Sequence, residues 1–213
     1  MRHPVPVLLM MSAACATVLT ALALTGALVP GEGAFARWVQ DTPGGRFLEQ
    51  VTDALAFSYV QYMVVAAAML AAIRARDPAL AATALFVLLG AASNPLLKEI
   101  VQRERPTPAD AVVREPAPGL GYPSGHVMSA ALIYGYAALV AWRQAPRPAA
   151  RVAVSAALLI VVLMAWDRVY NGAHWPSDTA GAAAISALML AAACWLPALL
   201  RRAARVRRSA GDG

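Results

Sequence analysis

Residues 149–166 read AARVAVSAALLIVVLMAW, and residues 167–178, which follow directly, read DRVYNGAHWPSD. The first block carries one charge, Arg151 near its start, and its apolar residues cover every face of a helix. A helix on the surface of a soluble protein keeps a polar face; one apolar all round is buried or lies in lipid. The second block changes character at once, with Asp167, Arg168, His174 and Asp178 in a short polar stretch. That switch marks the end of a membrane span opening onto a reactive surface.

Similar apolar runs fill much of the rest of the chain. Six apolar runs approach the roughly 20 residues that a spanning helix needs. They lie at about 5–29, 54–73, 79–97, 125–142, 149–166 and 178–200. The 213 residues are 60% hydrophobic and 14% charged, where a soluble domain carries about 25% charge. Mean hydropathy is +0.56. The expected fold is all-α: one polytopic membrane domain over residues 1–213, a bundle of six transmembrane helices, with 201–213 a basic cytoplasmic tail. No internal repeat is visible. Arg2 before the first run, with Ala34-Phe35-Ala36 after it, imitates a cleaved leader. However, the run exceeds the usual 7–15 residues of such a core, so it is expected to remain as a span. Cys15 and Cys194 both sit in apolar runs and are expected to pack there rather than pair.

Charge orients the bundle. Arg2, Arg74, Arg76, Arg143, Arg147, Arg151, Arg201, Arg202, Arg205, Arg207 and Arg208 fall on one set of connections, and only Asp77 and Asp212 oppose them. The other set, 30–53, 98–124 and 167–177, holds the remaining acids. Basic loops stay in the cytoplasm. Both termini are therefore expected inside, with the second set outside. The net charge of +6 then serves topology and anionic lipid rather than nucleic acid.

The residues able to do chemistry all fall on the outer side. Lys98 and Arg105 bracket KEIVQRERP, residues 98–106. A point charge and a planar fork from one segment can grip a tetrahedral oxyanion; snorkelling with salt bridges to Glu99 and Glu104 is the plainer reading. Residues 121–126, GYPSGH, open the fourth span. Ser124 is a candidate N-cap, Gly125 leaves the backbone accessible, and the free amides there suit an anion beside His126. An ordinary cap with an interfacial histidine explains the same letters. His174 and Asp178 stand four apart, so a carboxylate can fix one ring nitrogen and leave the other basic. Tyr170 and Trp175 are expected to be interface-belt aromatics. Arg103 and Arg114 can reach a second phosphate, but surface salt bridges explain them more simply. Two outer histidines without cysteine fall short of a zinc site, and the clustered cations favour an anion, so no metal and no cofactor are expected.

Lys98 to Pro106 fits K-x6-R-P, residues 123–126 read P-S-G-H, and Arg168, His174 and Asp178 fit R-x5-H-x3-D. Together and in this order they resemble the type-2 phosphatidic acid phosphatase superfamily, which also includes bacterial lipid diphosphatases and vanadium-dependent haloperoxidases. The resemblance runs from about residue 50 onward. It implies metal-independent hydrolysis of a lipid phosphate or diphosphate: undecaprenyl diphosphate, phosphatidic acid or phosphatidylglycerol phosphate. It further implies His174 as nucleophile forming a phosphohistidine, Asp178 as its orienting partner and His126 as general acid. Lys98, Arg105, Arg168, Ser124 and Gly125 would hold the phosphate. The partners implied are a lipid substrate and the bilayer, with the site facing the outside of a bacterial inner membrane; oligomeric state is not legible. Asp167 departs from the usual serine, and it is expected to pair with Arg168 or to soften the pocket charge. Transfer to a lipid hydroxyl, vanadate-dependent peroxidation and a non-catalytic anion carrier remain as alternatives.

Overall fold

The computed structural model describes residues 5–43, 45–56 and 58–211; Arg2, His3 and Asp212 lie outside them. Among the described residues every regular element is a helix. The helices are α1 (Val5–Leu24), α2 (Glu32–Gln40), α3 (Gly45–Ala56), α4 (Ser58–Arg74), α5 (Pro78–Ala92), α6 (Asn94–Val101), α7 (Gly125–Gln144), α8 (Arg147–Tyr170) and α9 (Pro176–Gly211).

Helix α7 forms the centre. Val127, Met128, Ala130, Leu132 and Tyr136 are buried on it, against Leu80, Ala84 and Val87 of α5, Met164 of α8 and Ala182 of α9. Tyrosines in an apolar core need partners for their hydroxyls. Tyr136 donates to Leu80 O at 3.1 Å and Tyr134 to Leu55 O at 2.8 Å. Close approach of α7 to α9 depends on a missing side chain: a Cβ at Gly135 would lie 2.6 Å from Leu190. Small residues at helix contacts are how bundles in lipid gain packing. By contrast, α8 keeps Val152, Leu158, Leu159 and Val162 more than half exposed. An apolar surface of that size suits contact with acyl chains rather than water.

Three helices are long and apolar enough to cross a membrane: α7, α8 and Pro176–Trp195 of α9. The number rises to five if the bent pairs α3–α4 (51°) and α5–α6 (40°) each make one span. Reaching the six expected spans requires α1 as well, whose apolar part, Leu9–Leu24, is shorter. Its helix stops at Leu24, not at 29, because the chain turns at Gly26 with φ +69°. The expected straight span 79–97 is broken. Pro95 has no N–H to continue the ladder, and Ser93 turns its hydroxyl back onto Gly90 O at 2.7 Å. The basic segment after residue 200 continues α9 as helix to Gly211.

Asp77 caps α5, accepting from the amides of Ala79 and Leu80, with Pro78 at the first helical position. Its other oxygen takes Arg143 at 3.3 Å, which ties the α4–α5 link to the end of α7. The chemical motifs gather at the opposite end of α7. The two cysteines are unpaired, and Cys15 is exposed on the surface of α1 rather than packed.

Candidate active site

At that end one cavity of about 630 Å³ is lined by Lys98, Arg105, Gly125, His126 and His174. The same cavity is lined by apolar Ala56, Leu88, Ala91, Ala92 and Ile133 and by Ser58, Gln61, Tyr62 and Ser129. The cations and imidazoles come from three distant stretches of chain, the three picked out in the sequence.

His174 is set by the tight link between α8 and α9. Gly172 turns the chain at φ +67°, and a Cβ there would stand 2.4 Å from Val112 O. The amides of Ala173 and His174 both fold back onto Arg168 O. Pro176 then starts α9, and Asp178 in its first turn accepts from Trp175 N at 2.9 Å. His174 Nδ1 lies 3.5 Å from Asp178 Oδ2, a long contact with no nearer partner for that nitrogen. On the other side of the ring, Nε2 lies 3.1 Å from Arg105 Nη1. Arginine only donates. Nε2 is therefore the acceptor, and the ring proton sits on Nδ1 toward Asp178. Burial drives the imidazole pKa from 6.5 down to about 4; Asp178 pulls it up, and Arg105 and Lys98 push it further down. The ring is neutral at pH 7, with a lone pair on Nε2.

The cations are held by backbone carbonyls. Lys98 donates to Leu120 O at 2.8 Å, and Arg105 to Gly119 O and Ala173 O at 3.0 and 2.6 Å. No ion pair joins either to Glu99 or Glu104 among the described residues. Ser124 stands at the N-cap position of α7 as expected, but its side chain makes no capping bond. Its hydroxyl is buried without a partner, and its amide donates to Asp178 O at 3.2 Å. That last bond joins the second motif to the third.

Arg168 differs from expectation. It does not line the cavity; it is buried among carboxylates. Asp167 takes its Nε at 2.6 Å, Glu115 lies at 3.1 Å and Asp53 at 3.5 Å. Asp167, in place of the usual serine, therefore neutralises the arginine beside it, and it also accepts from Asn171 at 3.1 Å.

Three plainer readings also need correction. Arg103 makes no surface salt bridge: it is 3% exposed, between Asp178 and Glu32. Among the described residues Arg114 pairs with no carboxylate; it clamps Tyr170 O at 2.6 Å and Gln40 O at 3.1 Å and lies over the Tyr170 ring. Tyr170 and Trp175 are buried, Tyr170 against Ala36, Val39 and Val169, so neither belongs to an interface belt. Gln40 was missed altogether. Its amide bonds Val112 O at 2.8 Å and Val169 O at 3.3 Å, which fastens α2 to the 106–120 loop and to the end of α8. Among the described residues no three His, Cys, Asp or Glu side chains gather to hold a metal ion.

Helices with apolar outer faces make an integral membrane protein, and a cavity lined by imidazoles and cations lies at one end of its bundle. A family profile described as PAP2 superfamily matches residues 78–202. The chain belongs to that family and is a phosphatase. Its fold is similar to that of a transmembrane PAP2 type phosphatidylglycerolphosphate phosphatase from Bacillus subtilis, with a TM-score of 0.64 and 22% identity, covering 90% of this chain and 94% of that one. No curated protein sequence matches it.

Proposed function

We propose that the chain hydrolyses a phosphate group from a membrane lipid through a phosphohistidine at His174. One observation carries this reading: His126, His174, Lys98 and Arg105 share one cavity with the apolar side chains of Ala56, Leu88, Ala91 and Ile133. A headgroup phosphate is then held at the polar end while its acyl chains stay against Leu88 and Ile133.

In the first step Nε2 of His174 attacks phosphorus, the N–P bond forms and the bond to the lipid oxygen breaks. His126 gives that oxygen its proton. Asp178 faces Nδ1 and balances the positive charge that develops on the ring. In the second step water attacks phosphorus, His126 takes its proton, and inorganic phosphate leaves with the N–P electron pair returned to His174. Two displacements replace one difficult hydrolysis. Lys98, Arg105 and the first amides of α7 stabilise the non-bridging oxygens, which is most of the work in phosphoryl transfer. The Ser124 hydroxyl and the Gly125 amide complete that grip.

Among substrates, a lipid monophosphate such as phosphatidic acid or phosphatidylglycerol phosphate fits better than undecaprenyl diphosphate. Arg168 is already matched by three carboxylates, so the site offers fewer free cations to a second phosphate. The Bacillus subtilis neighbour is named for phosphatidylglycerolphosphate, which supports the same class. The site is read as facing the outside of a bacterial inner membrane, with both termini inside, because the Arg143–Asp77 pair lies at the far end of α7.

The test is release of inorganic phosphate by the purified chain across a panel of lipid mono- and diphosphates. Acid-stable, base-labile label on the protein is the wrong product, since a phosphohistidine is labile in acid and survives base. No release from any lipid, or label on serine, rejects the reading.

A further inference from the structure

We infer that Glu32 and Arg103 are a positioning pair that fixes Asp178 and keeps its charge available to His174; this rests on the role proposed above for His174. Arg103 Nη1 donates to Asp178 Oδ1 at 3.1 Å and to Ser177 Oγ at 2.6 Å. Its Nη2 reaches Glu32 Oε2 at 3.3 Å and Ala27 O at 3.4 Å. Glu32 is equally buried: Oε1 accepts from Ser177 N at 2.6 Å and Oε2 from Val29 N at 2.9 Å. Glu32 begins α2 and lies outside residues 78–202 matched by the family.

Geometry gives the first half of the role. Arg103 holds Oδ1 of Asp178 and Trp175 N holds Oδ2. Two fixed oxygens set the plane of the carboxylate, and Oδ2 is left facing His174 Nδ1. Charge gives the second half. A buried guanidinium alone against Asp178 would cancel the negative charge that the ring needs, and the burial of both side chains weakens solvent screening. Glu32 on the far side of Arg103 restores it. The trio Glu32, Arg103 and Asp178 carries one net negative charge. It becomes neutral with the ring when the N–P bond places a positive charge on His174. Neither Glu32 nor Arg103 touches the cavity, so they act through Asp178 and not on substrate.

The experiment is a double-variant cycle in the full chain, purified in detergent, with a lipid monophosphate as substrate. Glu32→Gln is expected to lower kcat about tenfold or more with KM within about twofold. In the Asp178→Asn background the same change is expected to cost less than about twofold, because the carboxylate it serves is gone. Arg103→Lys keeps the charge but loses the fork, and it should show the same signature at smaller amplitude. Additive losses, a raised KM at unchanged kcat, or a wild-type kcat for Glu32→Gln would each overturn the inference. So would failure of both Glu32→Gln and Arg103→Lys to give folded protein, which would make the pair an anchor of the fold. Wild-type protein that releases no phosphate instead rejects the reading of the site itself.

Discussion

At the scale of single residues, the proposed mechanism rests on His174. His174→Ala is expected to lower phosphate release by about a thousandfold or more while folded protein still reaches the membrane; near-normal turnover would remove it as nucleophile. Its pKa gives a second expectation. The folded value is lowered to about 4 from 6.5, so the ring stays neutral down to about pH 4 and is lost as a nucleophile only below it. The rate of phosphoenzyme formation from a substrate with a good leaving group should hold across neutral pH and fall near pH 4. A fall centred near 6.5 would mean that the ring is not buried as described. The same shift affects stability. Between pH 6.5 and 4 the unfolded chain binds a proton that the folded one refuses, so this contribution weakens as pH falls through that window and levels off below it. Asp167→Ser tests the other departure. With Asp167 gone, Arg168 keeps only Glu115 and the more distant Asp53. A drop in KM of about two- to tenfold for lipid monophosphate is expected from the freed charge, and an unchanged KM would place Arg168 too far from the phosphate to matter. The histidines, Lys98 and Arg105 were legible because chemistry fixes their type and spacing along the chain. Glu32 and Arg103 were not, because their partnership spans 71 residues and no local pattern marks it.

Among the elements, the short helix α2 has a larger part than its length suggests. Gln40 at its end bonds the backbone of Val112 in both directions and the carbonyls of Val169 and Tyr170. Gln40→Leu removes the partner of the Val112 amide and carbonyl, while Tyr170 O keeps Arg114 and Val169 O keeps the Gly172 amide, a cost of about 1–3 kcal/mol. Faster proteolysis within residues 106–120 and a lower melting temperature are expected, and wild-type cleavage kinetics would show that the loop is held by something else. Sequence reading gave the long apolar helices well, since hydropathy alone identifies them. It failed at α2 and α3, which are amphipathic and lay inside a presumed loop, and at the α5–α6 bend. Pro95 inside an apolar run was a visible warning of that bend. Beyond the bend, Lys98 on α6 lines the cavity and donates to Leu120 O.

For the molecule as a whole, orientation decides which pool of lipid the enzyme can meet. The basic connections gather at the end of the bundle tied by Asp77 and Arg143, and the cavity opens at the other. Under the rule that positive loops stay on the cytoplasmic side, the expected substrate has its headgroup in the outer leaflet. The consequence can be measured by placing one cysteine at Ala109, an exposed position in the turn Thr107–Asp110, in a chain whose Cys15 and Cys194 have been changed to alanine. An impermeant thiol reagent added to intact cells should label Ala109→Cys without any disruption of the membrane. A second cysteine at Gln144, on the opposite end of α7, should label only after the inner side is opened. The reverse pattern would place the His174 cavity in the cytoplasm and make the enzyme a consumer of inner-leaflet lipid. Labelling of both from outside would mean that α7 does not cross the bilayer at all, and with that the cavity could not draw its substrate laterally out of the membrane.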